Sequence, residues 1–440
     1  MKPIFLALIP AILAICASSA NDEEVRPYDD PLTFIDGTPV TRENWERRRA
    51  EIISIFENNM YGRIPGKMQI HTEKFESGVT SVCGDIASGT YSAVREQYHM
   101  WFTEDHGGPC IDWLVVRPSG SSASTPAKVI LTLNFQGNHA MLPDREIAVP
   151  DCWFDSWPDF HIVNNKAGEA GRGCLLRSGR RYHYPIDYFL SRGYALVTAT
   201  YGEVCADPEK YPGDKPQSYC FQTGVFKIWP RDDSDPTRPM ALGAWAWAYM
   251  RGMDLVEQLP ELDKEKVVVT GVSRLGKAAL IAGACDERFA VVAPVQTGGG
   301  GVPLTKYPLP GKETIQSETT NFTHWFIPVY ASFAGKESTM TFDQHLLVSC
   351  IAPRAVFVFG YDNPHFNSPG EFECLKKAAP AWSLWGREPF PGVVYPDTSS
   401  DSAIGRNMAY FHRTRESGHG VKADEWTRML EFADRNFTGE

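Results

Sequence analysis

Past its first twenty residues, this chain has no apolar run approaching the roughly 20 residues that a membrane-spanning helix needs, so no membrane span is expected. Positive charge is also short: 43 Lys and Arg are outnumbered by 54 Asp and Glu, for a net charge of -11. Nucleic acid is therefore excluded as a partner, because its phosphates must be met by clustered cations. Cysteine is sparse, 10 in 440 residues, with no CxxC pair and no Cys/His ligand spacing. Neither a metal site nor an organic cofactor is expected. There is no internal repeat, and the stretch SGSSASTPA at 119–127 reads as a polar loop rather than a linker.

The amino terminus does carry a pattern. Lys2, the apolar PIFLALIPAILAIC and the small residues Ala17, Ser18, Ser19 and Ala20 spell a secretory signal peptide over residues 1–20, cut after Ala20. Secretion, or export to a periplasm, would expose the remaining cysteines to oxidation. Cys205 with Cys220 could close a loop and Cys83 with Cys110 could join neighbouring strands, while Cys285 and Cys350 lie in apolar contexts typical of buried thiols.

The rest, 21–440, reads as a single catalytic domain, expected as a monomer, with residues 21–65 as a helical segment packed on its outside. Strands are predicted at TYSAVREQYHMWFT, IDWLVVRP, KVILTLNF, YALVTATY, KVVVTGVS, FAVVAPVQ, RAVFVFGYD and NMAYFHRTRES. Helices are predicted at IDYFLSRG, GAWAWAYMRGMDLVEQLP, after Ser273, at EFECLKKAAPAWSLWG and at ADEWTRMLEFADRNF. This alternation implies an α/β fold: a mainly parallel sheet covered on both faces, a three-layer αβα sandwich. Such folds bind ligands beyond the carboxyl ends of their strands.

Ser273 falls at one of those ends. The β-branched run Lys266–Thr270 leads into a turn bracketed by Gly271 and Gly276, and an Ala-rich helix follows whose amides would face whatever the serine attacks. The pattern departs from the usual nucleophile elbow, since Leu275 stands where its second glycine would be. The plainer alternative is a serine that merely caps a strand-to-helix turn.

A serine nucleophile needs a base and an acid from other strand ends. His419, in the glycine-flanked RESGHGVKADEW, is the expected base; His412 lies within a strand, and His345 lies on a helix-like segment with a structural role. Asp362, closing RAVFVFGYD, is the expected acid, although an Asp before Asn363 and Pro364 also suits a turn. Gln296, which ends FAVVAPVQ, has no charge to offer an imidazolium and is expected to be a bystander.

The segment GVSRLGKAALIAGACDERFAVV resembles the nucleophile region of glucuronoyl esterases, carbohydrate esterase family 15, and the likeness continues in order through ENNMYGRIP, LNFQGNHA, SRGYALVTATYGEVCADP, GAWAWAYMRGMDLVEQL, FTHWF, FDQHLLVSCIAPR and ESGHG. The resemblance implies an α/β-hydrolase fold. It also implies hydrolysis of the ester between a (4-O-methyl)glucuronate branch of glucuronoxylan and a lignin-type alcohol, without a cofactor. It implies Ser273 as nucleophile, Arg274 as the cation on the oxyanion, and Lys277 and Glu313 on the sugar. The chain departs from the pattern in three places. Gln296 stands where many members have glutamate, Val272 where fungal members have a disulfide cysteine, and NPHF where some have a sugar-stacking tryptophan, leaving His365 or Phe366 to take that role. An acetyl- or feruloyl-esterase would keep the triad without needing Lys277 and Glu313, and a weak carbohydrate-binding relative would turn over neither kind of ester.

Overall fold

Ten strands join into one sheet in the computed structural model, which describes residues 29–179, 181–208, 215–390, 395–396, 402–413 and 418–438. The signal peptide lies outside the described residues. The strands are β1 His71–Cys83, β2 Thr90–Trp101, β3 Cys110–Pro118, β4 Ala127–Asn134, β5 Tyr194–Thr200, β6 Leu262–Val272, β7 Val291–Val295, β8 Ala355–Tyr361, β9 Ser402–Ile404 and β10 Met408–Arg413. Their order across the sheet is β1-β2-β3-β5-β4-β6-β7-β8-β10-β9. The six strands from β5 to β10 in that order are parallel, and β1, β2, β3 and β9 add antiparallel edges.

Every residue of β5, β7 and β8 is buried, as expected of strands covered on both faces. The helices are α1 Trp45–Phe56, α2 Ile186–Ser191, α3 Tyr201–Val204, α4 Ala241–Gln258, α5 Arg274–Cys285, α6 Ile315–Asn321, α7 Pro328–Ala331, α8 Gln344–Ser349, α9 Ser368–Ala378 and α10 Ala423–Thr438. Side chains of successive strand residues point to opposite faces. Tyr410 of β10 meets Phe372 of α9, while its neighbour Phe411 lies under Arg428 of α10. Helices therefore cover both faces, and the fold is the α/β-hydrolase sandwich.

One helical detail differs from the sequence reading. EFECLKKAAPAWSLWG is not one helix: α9 stops at Ala378 and a 3-10 segment, Ala379–Trp385, carries on with Pro380, which has no N–H to extend the α ladder. The amino-terminal helix α1 is tied in through Arg49, which donates to the carbonyls of Ala284 at 2.9 Å and Cys350 at 3.1 Å, so its guanidinium closes the carboxyl ends of α5 and α8. β1 escaped the sequence reading because HTEKFESGVTSVC is polar; only Thr80 and Val82 in it are buried, and the ladder to β2 holds it.

Register also decides the cysteines. Cys83 pairs with Thr90 at one end of β2 and Cys110 with Trp101 at the other. Eleven residues of strand put them about 36 Å apart, so the bridge between Cys83 and Cys110 is ruled out. Cys205 and Cys220 are buried neighbours and stand as free thiols. No helix among the described residues is long and apolar enough to cross a membrane.

Candidate active site

β6 delivers Ser273 into a backbone that few residues adopt, φ 60° and ψ -127°, and α5 starts on the next residue. A non-glycine residue there stores about 1–3 kcal/mol, which the surroundings must hold in place. They do so by a hydrogen bond from the Ser273 N–H to the Val295 carbonyl at 2.9 Å, and by close packing: a Cβ at Gly271 would lie 2.5 Å from both the Leu275 carbonyl and the Tyr249 hydroxyl. Only glycine at 271 lets the turn close. Val272 pairs with Val295 in the β6–β7 register, so Ser273 and Gln296 leave the sheet side by side. Gln296 is itself left-handed, at φ 48°.

The loop bearing His419 is laced to the segment 181–183. Arg181 Nε donates to the His419 carbonyl at 2.5 Å, Val421 N–H to the Arg181 carbonyl at 3.1 Å, and His183 N–H to the Val421 carbonyl at 2.9 Å. His419 Nδ1 lies 2.7 Å from Gln296 Oε1, and the same oxygen accepts the Gly420 N–H at 2.8 Å. An amide oxygen can only accept, so Nδ1 carries the proton and Nε2 keeps the lone pair. Burial pushes the imidazole pKa down to about 3, helped by the charges of Arg181, Arg274 and Lys277. His419 is thus neutral across the physiological range. No hydrogen bond joins Ser273 Oγ to His419 among the described residues; in hydrolytic sites this contact commonly tightens only with substrate in place.

The structure does not bring the expected acid to this imidazole. Asp362 follows β8 as an exposed residue, its charge acts on His412 and Tyr395, and among the described residues no hydrogen bond or ion pair links it to His419. Gln296 already fills the place beside Nδ1. After Asp362 the chain turns at Asn363, whose side chain accepts the His365 N–H at 2.7 Å, and it is Phe366 that comes back to the imidazole, ring edge to face at 5.0 Å.

On the other flank of Ser273, fixed charges crowd together. Arg274 pairs with Asp207 and, at 3.4 Å, with Asp155, and lies over the rings of Trp325 at 4.8 Å and Phe322 at 5.4 Å. Asp207 is fully buried and also takes hydrogen bonds from Trp325 Nε1 at 2.8 Å and His324 Nε2 at 2.6 Å. Burial alone would raise its pKa, but Arg274 and His324 hold it well below the carboxylate range. Lys277, one turn along α5, lies 3.4 Å from Glu318 and 5.0 Å over the Trp325 ring. Burial lifts Glu318 to about 8 against the pull of Lys277.

Glu313 accepts the Gly299 N–H at 2.7 Å, and burial raises its pKa as well. Gly298, at φ +64°, passes so close that a Cβ would lie 2.3 Å from the Glu313 carboxylate. The structure thus gathers Ser273, Arg274, Lys277, Glu313, Phe366 and His419 around one strand end. His365 is exposed and reaches the group through its carbonyl, which accepts the Glu313 N–H at 2.8 Å. Sequence reasoning missed Asp155, Asp207, Glu318 and the Trp325 platform. In the sequence the CADP turn and FTHWF are landmarks of the resemblance only; their acidic and aromatic members are the signal that could have found this cluster.

Comparison with known proteins decides the family. The family model for glucuronyl esterase of fungi matches residues 219–386. A carbohydrate esterase from an unknown prokaryotic organism is 32% identical over 93% of this chain and 89% of its own length. The 4-O-methyl-glucuronoyl methylesterase 1 of Wolfiporia cocos is 30% identical over 97% of this chain and 91% of its own. The chain belongs to the glucuronoyl esterase family. A solved structure of a promiscuous family 15 carbohydrate esterase from a marine bacterial metagenome superposes with a TM-score of 0.78 at 29% identity, covering 92% of this chain and 96% of that one. As a member of this family the chain is a carboxylic ester hydrolase.

Proposed function

We propose that this glucuronoyl esterase cleaves, outside the cytoplasm and after removal of its first 20 residues, the ester between a (4-O-methyl)glucuronate side chain of glucuronoxylan and a lignin-type alcohol. The observation that carries the reading is the convergence, on the strained turn at Ser273, of a neutral imidazole and an anchored guanidinium. Ser273 Oγ attacks the ester carbonyl while His419 Nε2 takes its proton. The carbonyl oxygen becomes an oxyanion beside Arg274 and the first turn of α5, where fixed donors need no reorganisation as charge develops. Collapse returns the proton from Nε2 to the leaving alcohol, and water then repeats the cycle on the acyl-Ser273 ester. Gln296 Oε1 holds Nδ1–H throughout, fixing ring and tautomer.

Lys277 and Glu313 bind sugar hydroxyls. The alcohol side is aromatic: a cavity of about 420 Å³ beside Arg181 is lined by Trp157 and Phe160, and Trp157 stacks on Tyr182 at 5.9 Å. That lining favours an aryl or benzylic leaving group. Turnover of benzyl glucuronate beside p-nitrophenyl acetate tests the proposal. Preference for the glucuronate is expected; preference for the acetate would make the chain a general esterase, and turnover of neither would make it a binding protein.

A further inference from the structure

We propose that His99, Cys110 and Asp112 form a binding site for one divalent cation of the zinc class, in a cavity distinct from the Ser273 site. In the antiparallel pairing of β2 with β3, His99 stands opposite Asp112 and Trp101 opposite Cys110. Paired residues share a face and so do alternate residues along a strand, so all three side chains project together from two rigid elements. One ligand atom from each lies within 4.8 Å of the others.

The separations suit a metal. Cys110 Sγ is 3.4 Å from Asp112 Oδ1, against about 3.5 Å for sulfur and oxygen on one tetrahedral zinc with ordinary bond lengths. His99 Nδ1 is 2.6 Å from Asp112 Oδ1 and would open to about 3.3 Å, a shift within the reach of side-chain rotation. Thiolate, imidazole and carboxylate together suit zinc better than a hard cation such as magnesium or calcium.

A further carboxyl group beside the cluster is the second observation. Glu203 reaches the same place, its carboxylate accepting the Asp112 N–H at 3.3 Å. Among the described residues, neither Asp112 nor Glu203 has a Lys or Arg within ion-pair distance; the His99 imidazole is the basic group beside Asp112, and Lys166, Lys215 and Lys227 lie elsewhere on the cavity lining. The cluster lines a cavity of about 790 Å³ that also includes Cys152 and Glu203, and neither Ser273, Arg274 nor His419 borders it. A fourth position on the metal would open into that cavity, for water or a small anion. Binding displaces the Cys110 thiol proton, which leaves to solvent.

The test uses the whole mature enzyme, stripped with a chelator and titrated with zinc chloride by calorimetry. One zinc per chain is expected, with Cys110→Ser and His99→Ala each weakening binding at least tenfold. Zinc should raise the melting temperature of the parent and not that of Cys110→Ser, and the melting curves check that each variant folds. Cobalt(II) should give a thiolate charge-transfer band that Cys110→Ser loses and Cys152→Ser keeps. Absence of stoichiometric zinc in the parent, undiminished affinity in Cys110→Ser, or a cobalt band lost with Cys152 instead would overturn the site.

Discussion

The two flanks of Ser273 differ in how they use charge. Toward α5, Arg274 and Lys277 sit among Asp155, Asp207, Glu313 and Glu318, each fixed by hydrogen bonds, ion pairs or aromatic faces. Toward the loop after β10, the imidazole of His419 rests on a neutral amide. The comparison teaches that charge is concentrated where an oxyanion and a sugar acid would sit, whereas the base is held by a dipole that orients it without raising its basicity. The carboxylate flank sets binding and oxyanion stabilisation; the amide flank sets proton transfer.

The strongest way to break the comparison is to remove the groups on which the flanks meet. Ser273→Ala and His419→Ala should each lower ester turnover by about 10⁴ or more, since a nucleophile and its base act as a unit. Steady-state rates on benzyl glucuronate, with circular dichroism to confirm the fold, check this. More than a tenth of parental activity in either variant would end the assignment.

Next comes the charged flank. Arg274→Met should cut kcat by about 10²–10³ with little change in KM, because the oxyanion exists only in the transition state. It also leaves buried Asp207 with His324 and Trp325 as partners but without its guanidinium, so the melting temperature should fall as well. A variant with normal kcat and raised KM would place Arg274 on the substrate carboxyl instead.

Gln296 sharpens the comparison from the other side. Gln296→Ala removes the acceptor of Nδ1–H and should cost about 10–100-fold in kcat, the worth of a buried hydrogen bond. Gln296→Glu would set a carboxylate against the imidazole and raise its pKa. The sign follows from the base having to be unprotonated. With the imidazole held down at about 3, kcat/KM of the parent should stay flat from neutrality to pH 5. The glutamate variant should lose activity over that interval as His419 takes up a proton. Coincident acid limbs in the two pH–rate profiles would show that Gln296 does not set the basicity of His419.

Lys277→Ala should have a smaller effect, raising KM about tenfold with kcat little changed, as for a contact made equally in ground and transition states. A fall in kcat as large as that of Arg274→Met would merge the two roles on the charged flank.

What could be read from the sequence was what lies close along the chain. The run into Gly271, Ser273 and the helix is encoded within about a dozen residues, and the glycine-flanked His419 stands out as a loop residue between a strand and a helix. The parallel strands were legible because burial on both faces demands uninterrupted apolar runs such as AVFVFGY. The polar edge β1 was not, because its ladder needs no apolar pattern. The neighbour of His419 was hidden for a physical reason: a formal charge argument favours Asp362, whereas register places Gln296 level with Ser273, and an amide oxygen accepts Nδ1–H without any charge. His99, Cys110 and Asp112 were equally hidden, since strand pairing brings them together and no spacing motif records it.

Asp362 gives the smallest effect and the cleanest contrast. Its carboxylate is exposed and points its charge at His412 and Tyr395, so Asp362→Asn should change kcat by less than about twofold, the range of a surface substitution away from the site. Were Asp362 the acid, the loss of its charge would instead cost several powers of ten. Combining it with Gln296→Ala decides the matter: sites that do not touch should add, leaving the double variant at the rate of Gln296→Ala alone. A collapse specific to the double variant would mean that the β8 carboxylate swings in when the amide is gone, and that the neutral flank has a charged understudy.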